Sequence, residues 1–318
     1  MPTKYYIWSS DPHGTGQPWI DLIQRAQHDY PEATTVFGGD YIDSNQHSKE
    51  TVDFIMDQVK NHHAYALMGN HEYLMYQAIE QGQPDLWYLN GAKHTIKSFF
   101  NRGFSKSKAR QLLRSDPRYI FLINLPTILQ FGHLVFAHAG LTPNELSNPN
   151  FIPKSAPTFK DDPNFYDHIW IRNKYIHQDD NISFAQNYTP FTIVSGHTPT
   201  MFIEGVYNSP SATKTDVILP TYNDTDHHED PKILHRPCPV RMVQYEGEQP
   251  RFFTDDGCHG SNTHHGNVCV FDSDGHLVKI YNSDPKEDPY YDSEINPVST
   301  KEPIYNNQSH QYEWKQFR

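Results

Sequence analysis

Five short apolar runs constrain this chain more than any other feature. "KYYIW", "TTVFG", "AYALMG", "LVFA" and "FTIVSG" each read as a buried strand, and each stops abruptly at polar residues. Asp11 and His13 follow the first run, and Asp40 and Asp43 follow the second. Asn70, His71 and Glu72 follow the third, His138 the fourth and His197 the fifth. The end of a buried strand is a costly place for a carboxylate unless positive charge sits beside it.

The spacing between the runs predicts an α/β chain. "QPWIDLIQRAQHDY" and "SKETVDFIMDQVK" carry apolar residues at helical spacing, with Ser48 as a plausible N-cap of the second. Residues 72–115 read as mostly helical, broken near Gly82, Gly91 and Gly103. "TILQFGHLVFA" reads as two strands around a tight turn. Later, "CPVRMVQYEG" with "QPRFFTD", and then "NVCVFDSDGHLVKIYN", read as hairpins, the last with Asp-Gly at its turn. Alternating strands and helices followed by hairpins predict an α/β sandwich of two sheets. In such a sheet, strand ends on one edge converge on a crevice, so residues distant in sequence meet.

A length of 318 residues is ample for a sizeable core. We expect one domain over 1–285 with inserts near 141–167 and 205–239, and an extension at 286–318 that packs on the body or hangs loose. The net charge of −12 argues against a nucleic-acid duplex as partner. It also requires that an anionic substrate be drawn in by local positive charge, such as bound metal. The three cysteines match no zinc motif, and no apolar run reaches membrane-spanning length. The expectation is a soluble cytoplasmic protein with no membrane partner. The 20 histidines are many for this length.

Carboxylate, amide and imidazole ligands without thiolate suit manganese, iron, zinc or cobalt. One Asp can bridge two ions, the arrangement of two-metal hydrolases. Taken singly, each motif has a bland alternative: a capped turn for Asp11 and His13, an N-cap for Asp40 and Asp43, a satisfied core histidine for His138. Their joint occurrence in order after five strand-like runs decides against those. Glu72 reads as a supporting or helix-start charge and not as a ligand.

The ordered set "DPH", "GDYID", "GNHE", "HAG" and "GH" resembles the calcineurin-like metallophosphoesterases. More narrowly it resembles the branch with Ser/Thr protein phosphatases, the lambda phage phosphatase and bis(5'-nucleosyl)-tetraphosphatase, over roughly residues 5–280. The resemblance implies a four-layer α/β/β/α sandwich of two mixed sheets and a dinuclear centre, manganese first, with iron, zinc, cobalt or nickel as substitutes. Asp11, His13 and Asp40 would hold one ion; Asp40, Asn70, His138 and His197 would hold the other. A metal-bridging hydroxide would attack phosphorus in line, His71 would protonate the leaving oxygen, and Asp43 would orient His71. The W-x-R segment "WIR" makes Arg172 the candidate phosphate clamp; its bland alternative is a surface ion pair beside Trp170. The implied substrate is a phosphoprotein or a small phosphoester, with dinucleoside polyphosphates or diesters as the alternative.

Two departures stand out. Ser44 and Asn45 occupy the place of the Arg-Gly that ends the phosphatase pattern, and Pro199 occupies the second His of G-H-x-H. The late "TDDGCHG" segment resembles a structural segment of bacterial members, with Asp256 and Gly257 shaping the floor near the site. One of His259, His264 and His265 could face the cleft, whereas His227 and His228 read as a solvated loop. A non-catalytic scaffold would be expected to have lost ligands, and none of the core set is missing. The inserts would form the walls that select substrate.

Overall fold

The computed structural model describes residues 4–154, 156–172, 175, 187–200, 240–243, 248–259 and 265–281, and the backbone of two C-terminal strands. The 205–239 insert, with His227 and His228, lies outside the described residues, as does His264.

The first sheet contains β1 (Tyr5–Ser9), β2 (Thr34–Phe37) and β3 (Ala64–Ala66), paired in parallel. The second contains β4 (Ile128–Phe131), β5 (Leu134–Ala137), β6 (Thr192–Ser195), β7 (Arg241–Val243) and β8 (Arg251–Phe253). The final hairpin of β9 (Val268–Asp272) and β10 (Leu277–Tyr281) returns to the first sheet, where β9 pairs antiparallel with β1. The strand orders are β10-β9-β1-β2-β3 and β4-β5-β6-β8-β7, and both sheets are mixed. Two further strands, β11 (Lys301–Asn306) and β12 (Gln311–Gln316), form an antiparallel hairpin beside β10.

Alternation along the strands builds the layers, because successive side chains point to opposite faces. Tyr6, Trp8, Val36, Leu134, Phe136, Val194, Phe252, Cys269 and Phe271 share the core between the sheets. Trp8 stacks on Phe136 with ring centres 5.2 Å apart. The intervening residues face outward. Ile7, Phe37, Val268 and Val270 pack under helices of the first sheet, and Val135, Ala137, Ile193 and Phe253 face the layer outside the second. That outer layer includes Leu141, Leu146, Phe151 and Ile171, so much of the 141–167 segment is packed cover.

Helix α1 (Gln17–Asp29) presents Trp19, Ile20, Leu22, Ile23 and Ala26 to the sheet. Its start has a proline in the first turn, where no backbone donor is lost. Helix α2 (Ser48–Asn61) corrects one expectation. His47 takes the N-cap position and Ser48 is the first helical residue, its buried hydroxyl making no capping bond. The cap comes from elsewhere in the fold: the Lys49 amide donates to the Ser98 hydroxyl at 2.9 Å. Between β3 and β4 the chain forms α3 (Asn70–Tyr76), a π turn at Gln77–Gln81, α4 (Asp85–Leu89), α5 (Ala92–Phe100), α6 (Lys106–Leu113) and α7 (Pro117–Leu122). Gly82 and Gly91 stand at breaks with positive φ, and Gly103 lies between α5 and α6. After β5 come α8 (Pro143–Leu146) and α9 (Phe165–Trp170). No described helix is long and apolar enough to cross a membrane.

Candidate metal centre

The strand ends meet as expected. Asp11, His13, Asp40, Asn70, His138 and His197 are all at least nine-tenths buried and lie in loops or a helix start directly after β1, β2, β3, β5 and β6. Backbone bonds tie these loops together: Asp11 N–H donates to Gly39 O (3.0 Å), His13 N–H to Asp40 O (3.0 Å) and Gly196 N–H to His138 O (2.8 Å). The His197 amide donates to both carboxylate oxygens of Asp11, at 3.1 and 3.0 Å. Two glycines are required by proximity. A Cβ on Gly69 would lie 2.2 Å from Asp40 Oδ1, and one on Gly196 would lie 2.0 Å from Asp11 Oδ2.

Two groups of ligand atoms share Asp40: Asp11, His13 and Asp40, and Asp40, His138 and His197. Asp40 Oδ2 lies 3.6 Å from His13 Nε2, and Asp40 Oδ1 lies 3.5 Å from His138 Nε2. The tautomers follow from the other ring nitrogens. His13 Nδ1 faces the Ile42 carbonyl at 3.2 Å, and His138 Nδ1 faces the Gly38 carbonyl at 2.7 Å. A carbonyl only accepts, so each Nδ1 carries the proton and each Nε2 keeps a lone pair. His138 Nε2 then faces Asn70 Oδ1 at 3.0 Å and Asp40 Oδ1 at 3.5 Å, a convergence of acceptors. A cation is the partner that reconciles such a set, so these residues fit divalent metal.

The electrostatics point the same way. Among the protein groups alone, burial drives the Asp11 and Asp40 carboxyls well above their usual range, reinforced by Asp255 for Asp11 and Glu72 for Asp40. Burial drives His13 and His197 well below the imidazole range and His138 to about 3. A cation shared among them would reverse the carboxyl shift and reinforce the imidazole one, leaving ionised carboxylates and neutral rings, the states in which these groups bind metal.

Glu72 holds the loop after β2, with both carboxylate oxygens taken up by backbone amides. It accepts from the amides of Asp40, Tyr41 and Gly69, each at 2.9 Å. Burial still raises it to about 7.

His71 and Asp43 form a pair, with Nδ1 to Oδ2 at 2.8 Å, and His71 Nε2 lies 3.9 Å from Asp40 Oδ2. Burial raises the Asp43 carboxyl, while hydrogen bonds from the Thr95 hydroxyl and the Trp87 indole favour its ionised form. Burial lowers His71 to about 3, and Arg172 pushes the same way. Thr95 and Trp87 were not visible as site residues in sequence; Gly91 was visible only as a helix break.

Arg172 is exposed yet anchored. Its Nε donates to His197 Nε2 and its NH2 to the His197 carbonyl, both at 3.0 Å. The first bond uses the ring lone pair that a metal would take; the second leaves the guanidinium fixed at the cleft either way. The bland reading of Arg172 as a carboxylate partner finds no such ion pair among the described residues. Asp256 accepts from the Gly266 amide at 3.1 Å and Asp255 from the Gly257 amide at 2.8 Å, so this late segment is internally braced.

The sequence profile of the calcineurin-like phosphoesterases matches residues 7–228. The chain belongs to that family. This phosphoesterase is therefore a metal-dependent hydrolase, and divalent ions are its cofactor class. It is similar to solved structures of a metallophosphoesterase from Sphaerobacter thermophilus (13% identity, 89% of each chain covered, TM-score 0.44) and a serine/threonine phosphatase from Saccharomyces cerevisiae (13%, 85% of this chain and 73% of that chain, 0.46). It is also similar to a point mutant of a cold-active protein tyrosine phosphatase (16%, 89% and 83%, 0.47). No curated protein matches the phosphoesterase.

Proposed function

We propose that the chain is a dinuclear phosphoesterase acting on phosphate esters, either phosphoproteins or small phosphoesters. One ion would be held by Asp11, His13 and Asp40, and the other by Asp40, Asn70, His138 and His197, with manganese first among candidates. The observation that carries this reading is Asp40, which turns one oxygen toward each histidine group, at 3.6 and 3.5 Å. When bound, the ions supply positive charge for the phosphoryl oxygens and lower the pKa of the attacking water.

The remaining work falls to side chains. The water oxygen bonds to phosphorus as the bond to the ester oxygen breaks, and the departing oxygen needs a proton. His71 is the donor, held by Asp43 at 2.8 Å. Asp43 is in turn fixed by Thr95 and Trp87, so the imidazole cannot swing. The arriving ester brings negative charge that offsets the push of burial and Arg172 against a protonated ring. Arg172, anchored on the His197 carbonyl, grips a phosphoryl oxygen.

Elemental analysis and turnover of p-nitrophenyl phosphate and its bis-ester test the proposal. The expected result is two ions per chain, activity abolished by chelation and restored by manganese. One ion per chain, or full activity after exhaustive chelation, defeats it.

A further inference from the structure

Ser44 and Asn45 depart from the Arg-Gly of the phosphatase pattern, and both reach one neighbouring segment. The Ser44 hydroxyl lies 2.8 Å from His259 Nδ1. Asn45 Nδ2 donates to the Cys258 carbonyl at 3.3 Å. Residues 215 positions apart in sequence are thereby joined across the mouth of the cleft. Ser44 is itself fixed: its φ is +51°, and a Cβ on Gly91 would lie 2.6 Å from its amide nitrogen.

The pairing sets the His259 ring beside the reacting centre. Its centroid lies 4.8 Å from that of His13 and 5.2 Å from that of His71. Ring nitrogens of His13, His71 and His259 fall within 4.8 Å of one another. His259 is grouped with His71 and His13 and not with Asp11 or Asp40, so it sits beside the proposed proton donor and apart from the two carboxylates. It is exposed, whereas His13 and His71 are buried, which puts it at the solvent-facing rim that a substrate enters. The cleft floor is rich in acceptors, and a phosphoryl group needs donors. Arg172 supplies them beside His197, at the other histidine group.

We propose that His259 is a substrate-contacting residue that donates Nε2–H to a phosphoryl oxygen next to His71. Ser44 is its positioning residue: by donating its hydroxyl to Nδ1 it holds the ring and selects the Nε2–H tautomer. A ring offering a single N–H stands where a guanidinium would offer a two-pronged fork, so the site need not select a dianion and both monoesters and diesters are accepted. This assignment rests on the phosphoesterase reading of the cleft.

The experiment uses the full chain loaded with manganese, as wild type, His259→Ala, His259→Asn and Ser44→Ala. Metal content is measured by elemental analysis, inorganic phosphate binding by calorimetry, and kcat/KM on p-nitrophenyl phosphate and its bis-ester. The expected result is unchanged metal content and folding, with phosphate binding and kcat/KM weakened about tenfold or more in His259→Ala, as for loss of one hydrogen bond to a charged group. His259→Asn, which keeps an N–H, recovers part of the loss, and Ser44→Ala falls between it and wild type. Wild-type phosphate affinity in His259→Ala overturns the assignment. So does loss of metal in that variant, which would make His259 a ligand. If wild type itself lacks metal-dependent turnover, the phosphoesterase reading fails and takes this assignment with it. If wild type is active and His259→Ala is silent, only the His259 assignment fails.

Discussion

Replacing His168 by Gln tests whether the floor of the site rests on a buried cation. His168 is nearly fully buried between two carboxylates. Its Nδ1 donates to Asp162 at 2.6 Å and its Nε2 to Glu145 at 3.1 Å, so both nitrogens carry protons. Burial opposes the charge, but the bonds to Asp162 and Glu145 overcome it and raise His168 from 6.5 to about 9. The network extends to Thr127, Thr142 and Asn164, and the His168 carbonyl accepts from the Ala139 amide at 2.7 Å, next to His138. A raised imidazole pKa gives stability that is complete below the unfolded pKa and lost as pH climbs through the folded one. The shift corresponds to about 3 kcal/mol below pH 6, about 2.5 kcal/mol at pH 7 and almost nothing above pH 10. Stranding the buried Asp162 and the partly buried Glu145 adds a penalty of similar size. We expect His168→Gln to lower Tm by roughly 5–10 °C at pH 7. The gap should narrow between pH 8 and 10 as wild type loses the proton. Asp162 and Glu145, both lowered despite burial because His168 bonds them, lose their contribution as pH falls through the acid range. Thermal melts of both proteins from pH 5 to pH 10, with chelator present to remove metal effects, supply the measurement. A Tm gap that stays constant from pH 7 to pH 10 refutes the buried cation.

Asp40→Asn should raise the Tm of the chelated protein, since the Asp40 carboxyl is pushed up by burial, Glu72 and Asp11 and is destabilising when ionised. The same variant should lose the Tm rise that manganese gives wild type; normal stabilisation by metal would contradict the bridging role. His71→Asn should lower kcat by roughly 10²–10⁴ with ordinary leaving groups and by much less with acidic ones, which leave without a proton. A deficit independent of leaving-group pKa would remove His71 from the donor role. Arg172→Ala should cost about 2–4 kcal/mol in kcat/KM. Because it also releases His197 Nε2, metal affinity should hold or improve while catalysis falls, and a parallel loss of both would mean Arg172 only props His197.

Most of the fold, and the side chains that gather in the cleft, were legible because one device repeats. Each of five apolar runs terminates in a ligand type, and the runs from "KYYIW" to the final hairpin all recur as strands. What escaped were contacts that need the third dimension. Trp87 and Thr95 sit in segments whose apolar spacing marks ordinary helix, yet they fix Asp43. Ser98 caps α2 from another helix, so Ser48, the local candidate, is left without that task. His168 carries no motif; only the meeting of Asp162 and Glu145 on either side of it gives it a role. His259 was one of three candidates within seven residues, and choosing it required the Ser44 contact.

Four of the six proposed ligands, Asp11, His13, Asp40 and His197, share a conformational feature. Among the described residues, the non-glycine positions with positive φ are Asp11, His13, Asp40, Asp43, Ser44, Asn101 and His197, and all but Asn101 line the cleft. Left-handed backbone is unfavourable for most side chains, but Asp, Asn and His tolerate it best, because their short polar groups bond locally. A strand that must end and turn its next side chain back toward the crevice uses that conformation. The residue types that can hold it without a glycine are the types that bind hard and borderline cations. One choice of residue therefore serves both the turn and the proposed ligand role, and a second observation supports the coupling: the glycines at 39, 69 and 196 flank these turns, where a Cβ would strike atoms of Asp40, Gly69, His138 or Asp11. Each strained residue costs on the order of 1 kcal/mol or more, a sum that the cross-loop hydrogen bonds and the core between the sheets must offset. The sandwich is thus a condition of the site's geometry as well as its support.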